Sequence, residues 1–414
     1  MTRTARRLVT ARALRGFADG LVSVLLVAYL SRRGFSPFQV GAIVTATLVG
    51  SAALTLAVGL VGDRLHVRPV LLGATGLMIA TGAGFFVTTT FWPILLVAAI
   101  GTLNPSGGDV SVFLPTEQSM LAGEADDAGR PPLYARYNLA GTIAAAFGAL
   151  ASAIPSLAHD RLDIDQLSAE RAGFLVYAVI AVAVGVVYRG LPAASAEATI
   201  TDGAEVAARR RPLERSRRIV LELAALFSLD SAGSGFAGQA MLVLWLHLRF
   251  DLSPARTASV FFAASVLAGL SQLLAGPIAR RIGLVQTMVV THVPANVFLV
   301  LAAFAPSADL AVALLLARAA LSQMDVPVRQ SFVMAVVPPE ERVAAAGVTN
   351  VPRSLASATT PLAAGYLLSR TSFGWPLVLA GGVKLVYDFL LLALYRAVPA
   401  EVGAQRARRA GRRG

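Results

Sequence analysis

The residues PTEQS at Pro115–Ser119 return as PVRQS at Pro327–Ser331. Each phrase lies toward the end of a long apolar run, and the copies differ most in charge, Glu117 against Arg329. The register continues past them: at the same offset Arg130 meets Arg342 and Asn138 meets Asn350. Working outward, SRRGFSPFQVGAI from Ser31 parallels HLRFDLSPARTAS from His247, which sets Ser36-Pro37 against Ser253-Pro254. Keeping that second offset, GLVGDRLH from Gly59 meets GPIARRIG from Gly276. Chance likeness between apolar helices would rarely hold one register across a loop, so the chain reads as an internal duplication.

The duplicated unit is a membrane unit. Of 414 residues 56% are hydrophobic and only 14% charged, with mean hydropathy +0.67, whereas soluble domains carry about 25% charged residues. A helix needs roughly 20 apolar residues to cross the hydrocarbon layer. Twelve such spans are expected, near 14–31, 37–62, 69–90, 92–121, 137–157, 172–190, 218–247, 253–279, 284–305, 308–337, 344–368 and 375–396. The fold class is all-α integral membrane, with two pseudo-symmetric six-helix bundles at 1–191 and 218–399. A polar, basic linker at 192–217 joins them, and a basic tail follows at 400–414. Six spans per copy give both copies the same orientation, related by an axis along the membrane normal.

The net charge of +12 is explained by topology. Most Lys and Arg fall in segments on the side of the termini, the bias that marks the cytoplasmic face. Both termini are therefore expected in the cytoplasm, in a multi-pass protein of the plasma (inner) membrane. The runs ARRRPLERSRR from Ala208 and RARRAGRRG from Arg406 are orientation signals that would also attract anionic lipid headgroups; nucleic-acid binding is not expected. The apolar stretch near the N-terminus runs into YLSRRGFSP without a small-x-small cleavage site, so a retained first helix is expected rather than a leader. With no cysteine and four scattered histidines, neither a metal site nor a cofactor is expected. No phosphate-binding GxxxxGK[ST] loop and no paired nucleophile and base occur, so enzymatic chemistry is not expected either.

GLVGDRLHVRP, Gly59 to Pro69, follows the second span, with Gly59, Asp63, Arg64 and Arg68 spaced as in the first cytoplasmic loop of major facilitator superfamily transporters. VPPEERVAAAG, Val337 to Gly347, is similar to the superfamily's loop after the tenth span, with Arg342 and Gly347 in place. The resemblance covers essentially the whole chain. It implies a monomeric secondary transporter working by alternating access, with helices 1, 4, 7 and 10 around a central cavity. Gly59 would let two helices approach closely. Asp63 would face a helix N-terminus or pair with Arg64 or Arg68. These residues, with Arg130 and Arg342, are gating candidates; the plainer alternative is that they only anchor tight loops. The second copy has Arg280 and Arg281 where the first has Asp63 and Arg64, so any gate there lacks the acid.

Ionisable residues inside the spans fall on those same helices. Spans 2, 3, 5, 6, 8 and 9 have none in their interiors apart from His292; span 1 has Asp19, span 4 Asp109 and Glu117, span 7 Asp230, and span 10 Arg318, Asp325 and Arg329. A charge at mid-membrane costs at least about 2.5–3.5 kcal/mol, so it faces a cavity or a partner. Spans 4, 7 and 10 are also interrupted, by NPSGGD at Asn104, DSAGSGF at Asp230 and SQMDVP at Ser322; broken helices of this kind line binding sites. Asp109, Asp230 and Asp325, with Asn104 and Arg318, are thus the candidates for binding substrate or protons. The alternative is structural, with each aspartate capping a half-helix or Asp325 pairing with Arg329 one turn on. Asp19 with Arg15, and Lys384 with Asp388, read as local pairs, and His292 as a satisfied buried histidine. Glu117 and Arg329, at matched depth in the two copies, would face each other as a clasp closing the cytoplasmic mouth.

Span 5 reads NLAGTIAAAFGALASAIP, whose Gly141 and Gly148 match poorly the Gly- and Pro-rich motif of the superfamily's drug–proton antiporters. The first reading is proton-coupled export of a small organic molecule. Uptake of a small metabolite, with Arg318 or Arg329 holding an anionic group, is the alternative, followed by a transporter-like sensor without turnover.

Overall fold

The computed structural model describes residues 1–61, 66–105, 111–124, 130–192, 216–337 and 341–395, and these contain helices and no strand. Asp63, Arg64 and Asp109, and most of the linker and the tail, lie outside the described residues. Among the described residues eight helices precede the linker: α1 (Arg3–Arg32), α2 (Pro37–Val61), α3 (Val67–Val87), α4 (Phe91–Ile100), α5 (Phe113–Ala122), α6 (Arg130–Ala151), α7 (Ile154–Leu162) and α8 (Gln166–Arg189). Eight follow it: α9 (Arg217–Phe236), α10 (Gln239–Phe250), α11 (Pro254–Ile282), α12 (Leu284–Ala303), α13 (Ala308–Ser322), α14 (Asp325–Val336), α15 (Arg342–Arg370) and α16 (Trp375–Tyr395).

The three interrupted spans are broken at or next to the stretches the sequence suggested, although DSAGSGF of span 7 itself stays helical and the break follows it. Span 4 becomes α4 and α5, span 7 becomes α9 and α10 around Ala237-Gly238, and span 10 becomes α13 and α14 around Gln323-Met324. The helix of the first span starts well before the expected residue 14. The Thr2 hydroxyl caps it by accepting from the Ala5 amide at 3.1 Å, and Ala5, Leu8 and Ala11 bury an apolar stripe on the first half. Such a cap satisfies an amide that would otherwise be orphaned.

Small residues set the closest helix approaches, as expected where van der Waals packing drives association. On α1, Gly16 and Gly20 lie one turn apart against Gly141 and Ala145 of α6, and Gly148 of α6 meets Phe17. The span 5 glycines therefore serve the α1–α6 seam. Across the two halves, α2 packs on α15, α6 on α11, and α1 on α10. The α2–α15 crossing brings Gly41 against Gly365, Phe147 and Phe262 meet as tilted rings with centroids 5.5 Å apart between α6 and α11, and Gln239 Nε2 donates to Ser23 Oγ at 2.8 Å. These contacts hold the halves together away from the end where the chain begins.

Candidate functional site

Asp230 lies on α9 two turns before the break, 3% exposed, in a position where an unpaired carboxylate would be very costly. It is not unpaired. Lys384 Nζ of α16 donates to its Oδ1 at 2.6 Å, and Arg329 Nη1 of α14 donates to its Oδ2 at 3.1 Å. Arg329 Nη1 is also 3.3 Å from Asp325 Oδ2, one turn back on the same helix. The lysine reaches α9 because Gly233 has no side chain: a Cβ there would sit 2.7 Å from Lys384 Cγ.

A second layer lies behind this one. His292 of α12 places Nε2 3.7 Å from Asp230 Oδ1 and Nδ1 2.8 Å from Asp388 Oδ1. Asn296 Nδ2 donates to Asp388 Oδ2 at 2.9 Å. Asp325, His292, Asn296, Arg329, Lys384 and Asp388 are all buried. Beside Asp230, the Arg353 Nε of α15 donates to Ser231 Oγ at 2.9 Å. Arg318 of α13 is close enough to feel the charge of Asp230, yet its buried Nε makes no hydrogen bond.

The first half carries its own closed network. Glu117 of α5 is fully buried and accepts from Arg15, from Tyr137 and, at 2.6 Å, from Tyr188. The guanidinium of Arg15 also covers the Phe113 ring, 4.4 Å from its centroid.

Three sequence expectations are corrected. Glu117 and Arg329 do not meet in this conformation: Glu117 is held by Arg15 and two tyrosines of its own half, and Arg329 by Asp230 and Asp325 of the other. Matched depth did not bring them together, because each charge finds a partner on neighbouring helices. Lys384 and Asp388 do not neutralise each other; one points to α9 and the other to α12. Asp19 does not pair with Arg15, which turns to Glu117, and Asp19 has no ion-pair partner among the described residues. His292, read as merely satisfied, proves to bridge two carboxylates. Nothing in its own span signals this; the hint was a lysine and an aspartate on span 12, which had to find partners somewhere.

Of the other candidates, Asn104 is buried in the break between α4 and α5. Arg68 Nη2 donates to the carbonyl of Arg189 at 2.7 Å, anchoring the start of α3 to the end of α8. Gly59 belongs to α2, Arg130 opens α6 and Arg342 opens α15. No cluster able to hold a metal occurs among the described residues.

Comparison with known proteins agrees with this architecture. The sequence profile of the Major Facilitator Superfamily matches residues 8–317 and again 223–414. The uncharacterised membrane protein YJR124C of Saccharomyces cerevisiae is 25% identical over 424 residues, covering 95% of this chain and 94% of that protein. The crystal structure of the nucleoside transporter NupG superposes with a TM-score of 0.72 at 17% identity, over 95% of this chain and 99% of that one. A D-xylose–proton symporter superposes with a TM-score of 0.71 at 15% identity, over 93% and 96% respectively. Identities this low speak for the fold alone.

Proposed function

The chain belongs to the major facilitator superfamily and is a secondary membrane transporter, not an enzyme; from that premise we propose that it couples transport of a small organic molecule to protons by alternating access. The moving units are 1–191 and 218–399, linked through 192–217, in a monomer of the plasma membrane. Both termini, including the tail at 400–414, lie in the cytoplasm against anionic headgroups. The conformation with Gly41 on Gly365 is then closed outside and faces inward.

One observation supports the coupling above others: Asp230, two turns before a helix break, is held by Lys384 and Arg329 and faced by His292. A proton or a substrate group arriving there must rearrange these pairs, and a ligand moves a conformational equilibrium only through such differential contacts. Uptake is favoured over export. Gly141 and Gly148 are engaged in packing against α1, and Arg318 is a cation without an ion-pair partner among the described residues. Gating by Asp63, Arg64, Arg130 and Arg342, and binding by Asp109, Asn104 and Asp325, belong to the same reading.

The test is flux in liposomes holding the purified protein, with a panel of small acids, amines and neutral solutes and an imposed pH gradient. Accumulation of at least one solute with acid outside is expected. Flux no greater than in empty liposomes, or indifferent to the gradient, would overturn the reading.

A further inference from the structure

Counting charge in the buried cluster exposes an imbalance that depends on one histidine. Three carboxylates, Asp230, Asp325 and Asp388, face two paired cations, Arg329 and Lys384. A neutral His292 leaves half-buried Arg318 as the third cation, with half-buried Arg353 beside Asp230 as a further one. A protonated His292 supplies the third cation itself, and Arg318 becomes surplus. Burying a surplus charge is costly unless an opposite charge joins it.

The geometry of the imidazole allows this second state. Nδ1 is committed to Asp388 Oδ1 at 2.8 Å, and Asn296 donates to the other oxygen of that carboxylate, so the neutral ring carries its hydrogen on Nδ1. The lone pair of Nε2 then faces Asp230 Oδ1 at 3.7 Å. Lone pair against carboxylate oxygen is repulsive; an N–H there is attractive. Tyr387 of α16 meets the ring edge-on; the other charged groups of the helices packed on α12 reach it through Asp230, namely Lys384 of α16, Arg318 of α13 and Arg329 of α14, with Asp325 of α14 behind Arg329. The remaining neighbour, α11, has only Arg256, Arg280 and Arg281, near its ends. Arg353, half-buried like Arg318, bonds Ser231 and adds positive charge at the edge of the cluster in either state of the ring.

We infer that Arg318 and His292 are two coupled sites: a single anionic group of the transported molecule, a carboxylate, binds at Arg318, and a proton binds at His292 Nε2 with it. The proton comes from water at the open face. A hydronium O–H bond breaks, the Nε2 lone pair forms the N–H bond, and a neutral water leaves; release is the reverse. Each ligand neutralises the charge the other introduces, so each tightens the other by the same factor. The inference rests on the carrier reading above, and specifies monocarboxylate–proton cotransport.

The test is proton uptake on anion binding, read with a pH indicator in weakly buffered detergent solution near neutral pH. The probes are acetate, pyruvate and benzoate, with acetamide and benzamide as uncharged controls. At least one acid is expected to bind with uptake of about one proton per protein, while the amides give none. Arg318→Gln should weaken that binding about ten- to a hundredfold, the size of a lost hydrogen bond to a charged group; Arg318→Lys should recover part of it. His292→Gln, which can still donate to Asp388, should bind the acid without taking up a proton. Size-exclusion profiles like that of the unaltered protein establish that the variants are folded. If no acid binds, if binding takes up no proton, or if His292→Gln takes up protons as before, the inference falls. Gradient-driven flux of another solute in the liposome assay would in that case leave the carrier reading standing, whereas absence of all flux would remove it independently.

Discussion

Gly41 and Gly365 face each other where α2 crosses α15, so closely that a Cβ on either would lie 2.9 Å from the Cα of the other. Real Cβ atoms do not approach a backbone carbon this closely. The contact joins the two halves, and on the alternating-access reading it would part when that end opens. Gly41→Val and Gly365→Val should each prop that end open. The absence of native cysteine makes the measurement clean: a single Gln239→Cys reporter, beside the seam, should react severalfold faster with an impermeant thiol reagent in either variant. Unchanged reactivity would mean that the crossing is not a gate.

A second expectation separates packing glycines from free ones. Gly20 abuts the backbone of Ala145, whereas Gly76 has nothing within 4 Å of a would-be Cβ. Gly20→Ala should lower the melting temperature in detergent and reduce yield. Gly76→Ala should be neutral or stabilising by about 0.5–1 kcal/mol, the helix-propensity difference. Equal behaviour of the two would contradict the close α1–α6 seam.

Breaking the network around Glu117 tests its partners. Glu117→Gln leaves Arg15 buried without a counter-charge, and loss of one partner of such a pair typically costs about 3–5 kcal/mol. Removing both, with Arg15→Met and Glu117→Met, should recover much of that loss. Exchanging charges between positions 117 and 329 should rescue nothing, because the structure gives these residues different partners. Rescue by the exchange would restore the clasp.

The same logic applies to Asp230, where a functional readout is added. Asp230→Asn should abolish accumulation driven by a pH gradient and destabilise the protein, since Lys384 and Arg329 lose their shared acceptor. Adding Lys384→Met should restore stability by about 1–3 kcal/mol relative to additivity, as residues in contact usually couple, without restoring accumulation. Full gradient-driven accumulation in Asp230→Asn would remove it from the mechanism.

Much of the architecture was legible because membrane crossing and duplication leave period-length signals. Apolar runs gave the spans, and Gly, Pro and Asp in spans 4, 7 and 10 marked real breaks. The helix start at Arg3 was hidden, since its early turns mix arginines with a sparse apolar stripe and only packing reveals the face. Partner choice was the larger gap. Lys384 and Asp388 satisfy the spacing of a local pair, yet both choose partners across helices, where geometry allows shorter contacts. Glu117 and Arg329 satisfy the symmetry of a clasp, but symmetry fixes depth and not rotamer. Sequence located the charges; three-dimensional neighbours decided their pairing.

The two charge networks also differ in when they can close during synthesis. Arg15 and Glu117, with Tyr137 and Tyr188, are all present once α8 has emerged, and a nascent chain folds its N-terminal units first. The second network has no such early closure. Asp230 enters on the first helix after the linker, and two of the residues that complete its cluster, Lys384 and Asp388, arrive only with α16, the last helix described. Throughout the making of six intervening helices its balance is unfinished. Chains that stop before α16 would therefore carry a settled first half and an electrically incomplete second one, giving cellular quality control a specific defect to detect.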